Sequence, residues 1–460
     1  MCARRQIDVD LREDLHKLES KGLIKTFDDE VSCEFEAASI IARYDGKYAV
    51  YLENVRTLAG ELWSVTANIA TSRTNIATLL NTSINGLTAK VERGLKERRD
   101  YILRDYSWDI HIENPDLRSL PILHHYDCEP SPYITSGVIF VKEHDTGLFS
   151  ASFHRMMVID RDKLAVRIVA GRRLLREFKR AESESKDLEI AAAIGLPMPL
   201  LLASATPTME DKVKVAGGIA GEPIEMSGVK SVNAYAPSCS QIVLEGKLMA
   251  GERAEEGPFY EILGIDVVRR QPVFKVEAIS MKRNPVYQAI LPGGMEHSLL
   301  MGIPVEAAVI QAVRKHANVK AVATTPAGKG WLEVAISIEK ESDDQPFLVG
   351  LSAIHAHKSI KSVIIVDSDV DVTNYLEVMN AVIQRANPSE DYLIIKNVRG
   401  SSLDHSNIRR IGGKFIETPR SKVIIDATIK GDPKLFKKPI IPVGAKDEKS
   451  HSMHGKDRHT

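Results

Sequence analysis

The middle of the chain limits its fold more than any other stretch. From about residue 115 to 304, short β-rich segments follow one another, separated by Gly or Pro turns. The pattern runs through "SGVIFVKEHDTGLFSASFHRMMVIDRDKLAVRIVAG", "QIVLEGKLM" and "VFKVEAISMKRNPVYQAIL". Asp145-Thr146-Gly147 lies between two β-branched runs and predicts a hairpin. Strands this closely spaced imply a barrel or sandwich, interrupted by one helix near 172–185. "AAAIGLPMPLLLASA" reads as buried strand and turn.

The flanks obey another grammar. Leu11, Leu15 and Leu18 fall on one helical face. "YAVYLENV" reads as a strand, and residues 70–105 read as a Lys/Arg-rich helix with a Glu92–Lys96 pair. Beyond 305, "VEAAVIQAVRKHA", "WLEVAISIEK", "SVIIVDSDVDV" and "NYLEVMNAVIQRA" alternate helix, strand, strand, helix. The expected organisation is an α/β domain over 1–114, a strand-rich domain over 115–304, a second α/β domain over 305–445, and a disordered polar tail over 446–460.

Composition removes several functions. Among 460 residues, 61 basic groups face 62 acidic ones, so no global field points to nucleic acid or an anionic membrane. The four cysteines form no CxxC pair, which argues for reduced thiols and a cytoplasmic setting. No apolar run approaches the length of a membrane-spanning helix, and the first residues lack a signal-peptide core.

Glu256 and Glu261 bracket Gly257-Pro258 and the aromatic pair Phe259-Tyr260. A carboxyl that moves protons needs its pKa brought toward neutrality, through burial or a second carboxylate. A solvated acidic turn is the alternative. In "SASFHRMMV", strand alternation turns one of His154 and Arg155 inward; a buried arginine needs an anionic partner. Arg167, Arg172 and Arg173 surround Gly171 where a strand gives way to a helix, an arrangement that suits an anion or simply a basic helix face. Asp367, Asp369 and Asp371 lack the glycine and glutamate of a calcium loop and read as strand-end acids. His451, His454 and His459 read as solvent-exposed. There is no GxGxxG, P-loop, GxSxG or HExxH.

In order and spacing, "DLREDLHKLESKG", "FHRMMVIDRDKLAVRIVAGRRL", "QIVLEGKLMAGERAEEGPFYEILG", "NPVYQAIL" and "SKVIIDATIKGDP" resemble the UbiD-type prenylated-flavin decarboxylases over nearly the whole chain. The resemblance implies an α/β (α+β) protein with a central flavin-binding split β-barrel between N- and C-terminal α/β segments, assembled as a homodimer or larger homo-oligomer. It implies reversible decarboxylation of an unsaturated or aromatic acid on prenylated FMN, a cofactor made by a partner flavin prenyltransferase. It assigns Glu261 as proton donor, with Arg155 and Glu256 orienting the substrate carboxylate and tuning the acid. Flavin contacts fall on Phe153, His154, Arg155, Arg167, Ile168, Val169 and Arg172, and the C-terminal lysine of the family on Lys430. The wording is similar to the archaeal branch, which acts on trans-anhydromevalonate 5-phosphate in a mevalonate route to isoprenoids. A non-catalytic paralogue serving as partner subunit, and an aromatic-acid decarboxylase, are the alternatives.

One part of the pattern departs. The family bridges the flavin phosphate with manganese, with potassium nearby, through an Asn, a His and a Glu. Those positions hold Ser150, Arg173 and Lys212 here. Charged Arg and Lys cannot ligate a metal; Arg173 and Lys212 are expected to hold the phosphate directly.

Overall fold

The computed structural model describes residues 9–401 and 403–436; the expected tail at 446–460 lies outside them. Its centre is a nine-stranded sheet in which every pairing is antiparallel. Two long strands, Ile242–Glu256 and Arg269–Met281, form the spine, paired from Ile242 opposite Met281 to Glu256 opposite Arg269 with register shifts after Glu245 and after Leu248. The Asp145–Gly147 turn joins Val138–Lys142 to Phe149–Phe153, as its sequence predicts. Side chains alternate across the sheet with a period of two. Ala191, Ala193 and Val243 enter one core, while Ile190, Ala192, Ile194 and Leu244 enter another on the opposite face. Both faces are therefore covered.

A four-stranded sheet built from Ile24–Ser32, Ala49–Arg56, Leu62–Ala67 and Val286–Gln288 covers one side. A five-stranded sheet carries the C-terminal part, with helices Gln345–Ala356 and Tyr375–Arg385. Arg385 pairs with Asp367 at 3.3 Å and with Asp369 at 2.7 Å, so two of the three alternating acids are strand-end ion partners.

The structure corrects three local expectations. Residues 70–105 are not one helix: Arg73–Leu79 ends at Asn81, which is left-handed at φ 50°, and Leu87–Lys96 starts after the Ser83-capped turn Ile84–Gly86. Glu92 is buried and takes a 2.7 Å hydrogen bond from Arg314. Nor does one helix interrupt the middle region. Arg173–Ser183, Met198–Ala205 and Lys212–Ala220 all do, and Met295–Val313 begins before 304.

Met198–Ala205 lies within the stretch read as strand and turn. It is apolar all round, so it has no amphipathic period to reveal it, and Pro199 is tolerated in a first turn whose N–H groups have no helical partner. Its ends are finished by side chains from elsewhere. Asp14 accepts a 2.8 Å hydrogen bond from Met198 N–H, and Lys212 donates to the carbonyls of Ala203, Ser204 and Thr206. None of the helices is long and apolar enough to cross a membrane, among the described residues.

Glu296 shows how buried polar groups tie the layers together. Fully buried, it accepts from Asn68 N–H at 2.8 Å and Ala70 N–H at 3.0 Å. Burial pushes its carboxyl from 4.5 up to about 8, against the pull of those two donors. A carboxyl raised in the fold stabilises it in the protonated form, so its contribution is complete below 4.5 and lost as pH rises through about 8. Urea unfolding should show the stability of the wild type, relative to Glu296→Gln, falling across that window. A flat difference would contradict it.

Candidate active site

The spine creates the site. Its two strands are joined through the cis Gly257-Pro258 turn and a small hairpin, Phe259–Glu261 against Gly264–Asp266. Gly257 has φ +99° and a Cβ there would sit 3.2 Å from the Val267 carbonyl oxygen, so the turn needs glycine. The hairpin folds over the end of Met156–Asp160 and Lys163–Val166, strands that pair with each other and leave Arg155 and Arg167 as neighbours, with Arg167 N–H donating to Arg155 C=O at 3.1 Å.

Arg155 is the hub. Its Nε and Nη2 reach the two oxygens of Glu256 at 2.8 and 3.0 Å, Nη1 reaches Glu261 Oε1 at 2.7 Å, and Nη2 also reaches Asp266 Oδ2 at 2.9 Å. Its guanidinium lies 4.5 Å over the Phe259 ring. Burial alone would lower this group. Glu256, Glu261 and Asp266 more than reverse that, and Arg155 stays charged. Tyr133 donates its hydroxyl proton to Glu256 Oε1 at 3.2 Å and accepts from Gly257 N–H at 3.1 Å.

Asp266 anchors the far side. Burial pushes its carboxyl up, but hydrogen bonds and charge from Arg269 and Arg155 hold it below the usual range. Arg167 lies 3.6 Å from it. Three arginines thus face three carboxylates. Of these, Glu256 and Asp266 side chains are 0% and 3% exposed while Glu261 is 17% exposed, so Glu261 alone opens outward. His297, at the start of Met295–Val313, is close enough to Glu261 for that charge to act on it. Gly293 N–H donates to its Nδ1 at 3.2 Å, which puts the neutral ring's proton on Nε2.

His154 and Arg155 do not alternate. Both are buried, because they occupy the break between Phe149–Phe153 and Met156–Asp160, where strand geometry lapses. His154 Nδ1 donates to Arg167 C=O at 2.9 Å and Nε2 accepts from Ser152 Oγ at 2.8 Å. Burial lowers its pKa to about 4, so it is neutral near pH 7. Beside it, Phe153 ends its strand, Ile168 is buried with its N–H on Gln271 Oε1 at 3.1 Å, and Val169 is 42% exposed. Arg172 has no side-chain partner among the described residues and is exposed; its aliphatic neighbour and free donors fit an amphipathic flavin with an anionic tail.

The positions expected to hold a metal do not fit one. Ser150 is buried, Arg173 donates to Glu143 and to the Glu210 carbonyl, and Lys212 Nζ spends its three protons on carbonyls. The two acids just before Lys212 supply no ligand either. Glu210 turns its carboxylate to Arg98 at 3.5 Å, and Asp211 accepts from Val213, Lys214 and Phe149 N–H. Among the described residues no three His, Cys, Asp or Glu side chains converge as a metal site. Lys430 pairs with Asp391 and Asp426, at 3.2 and 3.3 Å.

The sequence matches three family models: the 3-octaprenyl-4-hydroxybenzoate carboxy-lyase N-terminal domain over 15–93, its Rift-related domain over 105–295 and its C-terminal domain over 298–427. It is 36% identical to the anhydromevalonate phosphate decarboxylase of Methanothermobacter thermautotrophicus over 91% of this chain and 96% of that protein. The protein of the same name from Methanosarcina mazei is 32% identical over 94% and 99%. The UbiD-class enzyme HmfF from Pelotomaculum thermopropionicum, solved with FMN, superposes with a TM-score of 0.88 at 31% identity over 94% of this chain and 97% of that one. An evolved dimeric form of HmfF with prFMN gives 0.85 at 31% identity over 95% and 97%.

Proposed function

The chain belongs to the UbiD family of carboxy-lyases, and we propose that it decarboxylates trans-anhydromevalonate 5-phosphate to isopentenyl phosphate, reversibly and without net oxidation, using prenylated FMN. The substrate rests on the two archaeal relatives and their near-complete coverage. The chemistry rests on one observation: a buried arginine holds three carboxylates, two of them buried and the third, Glu261, partly open to the outside.

Bound prenylated FMN would supply the electron sink for the pair released with carbon dioxide. The protein's part is orientation and protons. Glu256 and Asp266 take the Nε and Nη2 protons of Arg155, so one Nη1 N–H, beside the one on Glu261, is left for the substrate carboxylate. Glu261, oriented by Arg155 Nη1, delivers a proton to the carbon that has lost carbon dioxide and recovers it in the carboxylation direction. Phe153, His154, Ile168, Val169, Arg167 and Arg172 line the flavin side. We take the working unit as a homodimer or larger, as the evolved dimeric form of HmfF supports.

Protein co-expressed with a flavin prenyltransferase should be coloured and should release carbon dioxide from trans-anhydromevalonate 5-phosphate, with isopentenyl phosphate found by mass spectrometry. Turnover of gallate or another hydroxybenzoate alone would favour the aromatic reading. A colourless, inert protein would favour the non-catalytic paralogue.

A further inference from the structure

We propose that this chain seats the flavin phosphate without a divalent ion, on the Arg172 guanidinium, the free Nη2 of Arg173 and the N-terminus of the helix Arg173–Ser183, with the Lys212 ammonium as a buried charge behind them. The proposal rests on the flavin reading above and concerns only how the phosphate is held.

Four observations carry it. Arg173 has a side chain 9% exposed, with Nε on Glu143 and Nη1 on the Glu210 carbonyl, yet its buried Nη2 has no partner. A buried guanidinium N–H without an acceptor is costly, so this atom calls for a ligand. Next, the helix it opens has no acidic residue in its first turn and no side-chain cap, which leaves its N–H groups and positive end free for an anion. Arg172, at the N-cap position, is exposed and likewise unpaired among the described residues.

The last observation is the charge balance. Arg172 and Arg173 bring two positive charges, and protonated Lys212 a third. Glu143 is the one carboxylate hydrogen-bonded to any of them among the described residues, and it also serves Arg176 at 2.8 Å. One charge is left over, or two when Lys212 is protonated, and a phosphate monoester carries about −1.5 to −2 near pH 7. Burial first, then the charges of Arg172 and Arg173, bring Lys212 from 10.5 down to about 7. With its three protons on carbonyls, Lys212 acts through its charge and not by contact, which revises the expectation that it grips the phosphate directly. Burial first, and then the charge of Arg172, holds the pKa of His357 low, so Arg172 lies near the residue that follows the helix Gln345–Ala356.

The test compares full-length apoprotein binding FMN and riboflavin, which lacks the phosphate, in EDTA and in manganese. FMN affinity should agree within about twofold in the two buffers. Arg172→Ala should weaken FMN by roughly tenfold or more, the scale of one charge-assisted hydrogen bond, and leave riboflavin within twofold. Lys212→Met should also weaken FMN selectively; if that buried change prevents folding, the exposed Arg172 still decides. The proposal is overturned if EDTA removes FMN affinity and manganese restores it, if Arg172→Ala leaves FMN unchanged, or if it weakens both flavins equally. In those cases the flavin reading stands. Failure to bind either flavin overturns both.

Discussion

Glu261→Gln is expected to cut turnover by roughly 10²–10⁴-fold, the usual share of a general acid, while leaving flavin binding intact. Glutamine keeps the shape and still accepts from Arg155 Nη1, now at 2.7 Å from Glu261 Oε1. It has no proton to give. Isotope exchange between solvent and the product carbon should stop together with net decarboxylation, since both need the same proton to move. That pairing separates a proton donor from a residue that merely holds the hairpin Phe259–Glu261 and Gly264–Asp266 in place. A structural role would weaken flavin binding and change KM; loss of the acid lowers kcat. Exchange persisting in Glu261→Gln would move the proton-donor role elsewhere, with His297 the first candidate because it feels the Glu261 charge.

How legible was this in the amino-acid sequence? The hairpin at Asp145–Gly147, the helix Arg173–Ser183 and the alternation after 305 depend on local turn chemistry and on periods within one segment, so they could be read directly. Met198–Ala205 could not: a helix buried on all sides has no polar face to set its period. The long basic helix over 70–105 failed for the opposite reason. Its charges suit a helix, but Asn81, Ser83 and Gly86 stop it, and these short breaks were outweighed by the surrounding composition.

At the site, the pairing of Arg155 with Glu256 and Glu261 spans about a hundred residues of sequence. No spacing rule links them, and only the family resemblance put them in one place. Asp266, Tyr133 and His297 were missed. Asp266 had one usable signal: Ile262-Leu263 between Glu261 and Gly264 makes a tight hairpin, and that register sets Asp266 opposite Phe259, within reach of whatever the aromatic covers. Lys212 shows the converse error. A lysine at a position where relatives carry a ligand invites a functional role, yet here its first duty is to cap a helix that the sequence hid.

Arg155→Met should be the most destabilising single change in the site. Removing one partner of a buried ion pair leaves a charge without compensation and costs about 3–5 kcal/mol. Here one guanidinium serves three carboxylates, two of them with side chains 0% and 3% exposed. Asp266 keeps Arg269, but among the described residues Glu256 is left with the Tyr133 hydroxyl alone. Chemical unfolding should therefore show a loss on that scale at pH 7, shrinking in acid as the stranded carboxyls take up protons. A second substitution distinguishes charge from packing. Glu256→Gln in the Arg155→Met background removes the stranded charge while keeping the volume, and should return part of the lost stability without returning activity. If Arg155→Met is instead tolerated within about 1 kcal/mol, the range of ordinary surface pairs, the three carboxylates are not held in a dry cluster. Their arrangement could then not direct Glu261 toward the reacting carbon.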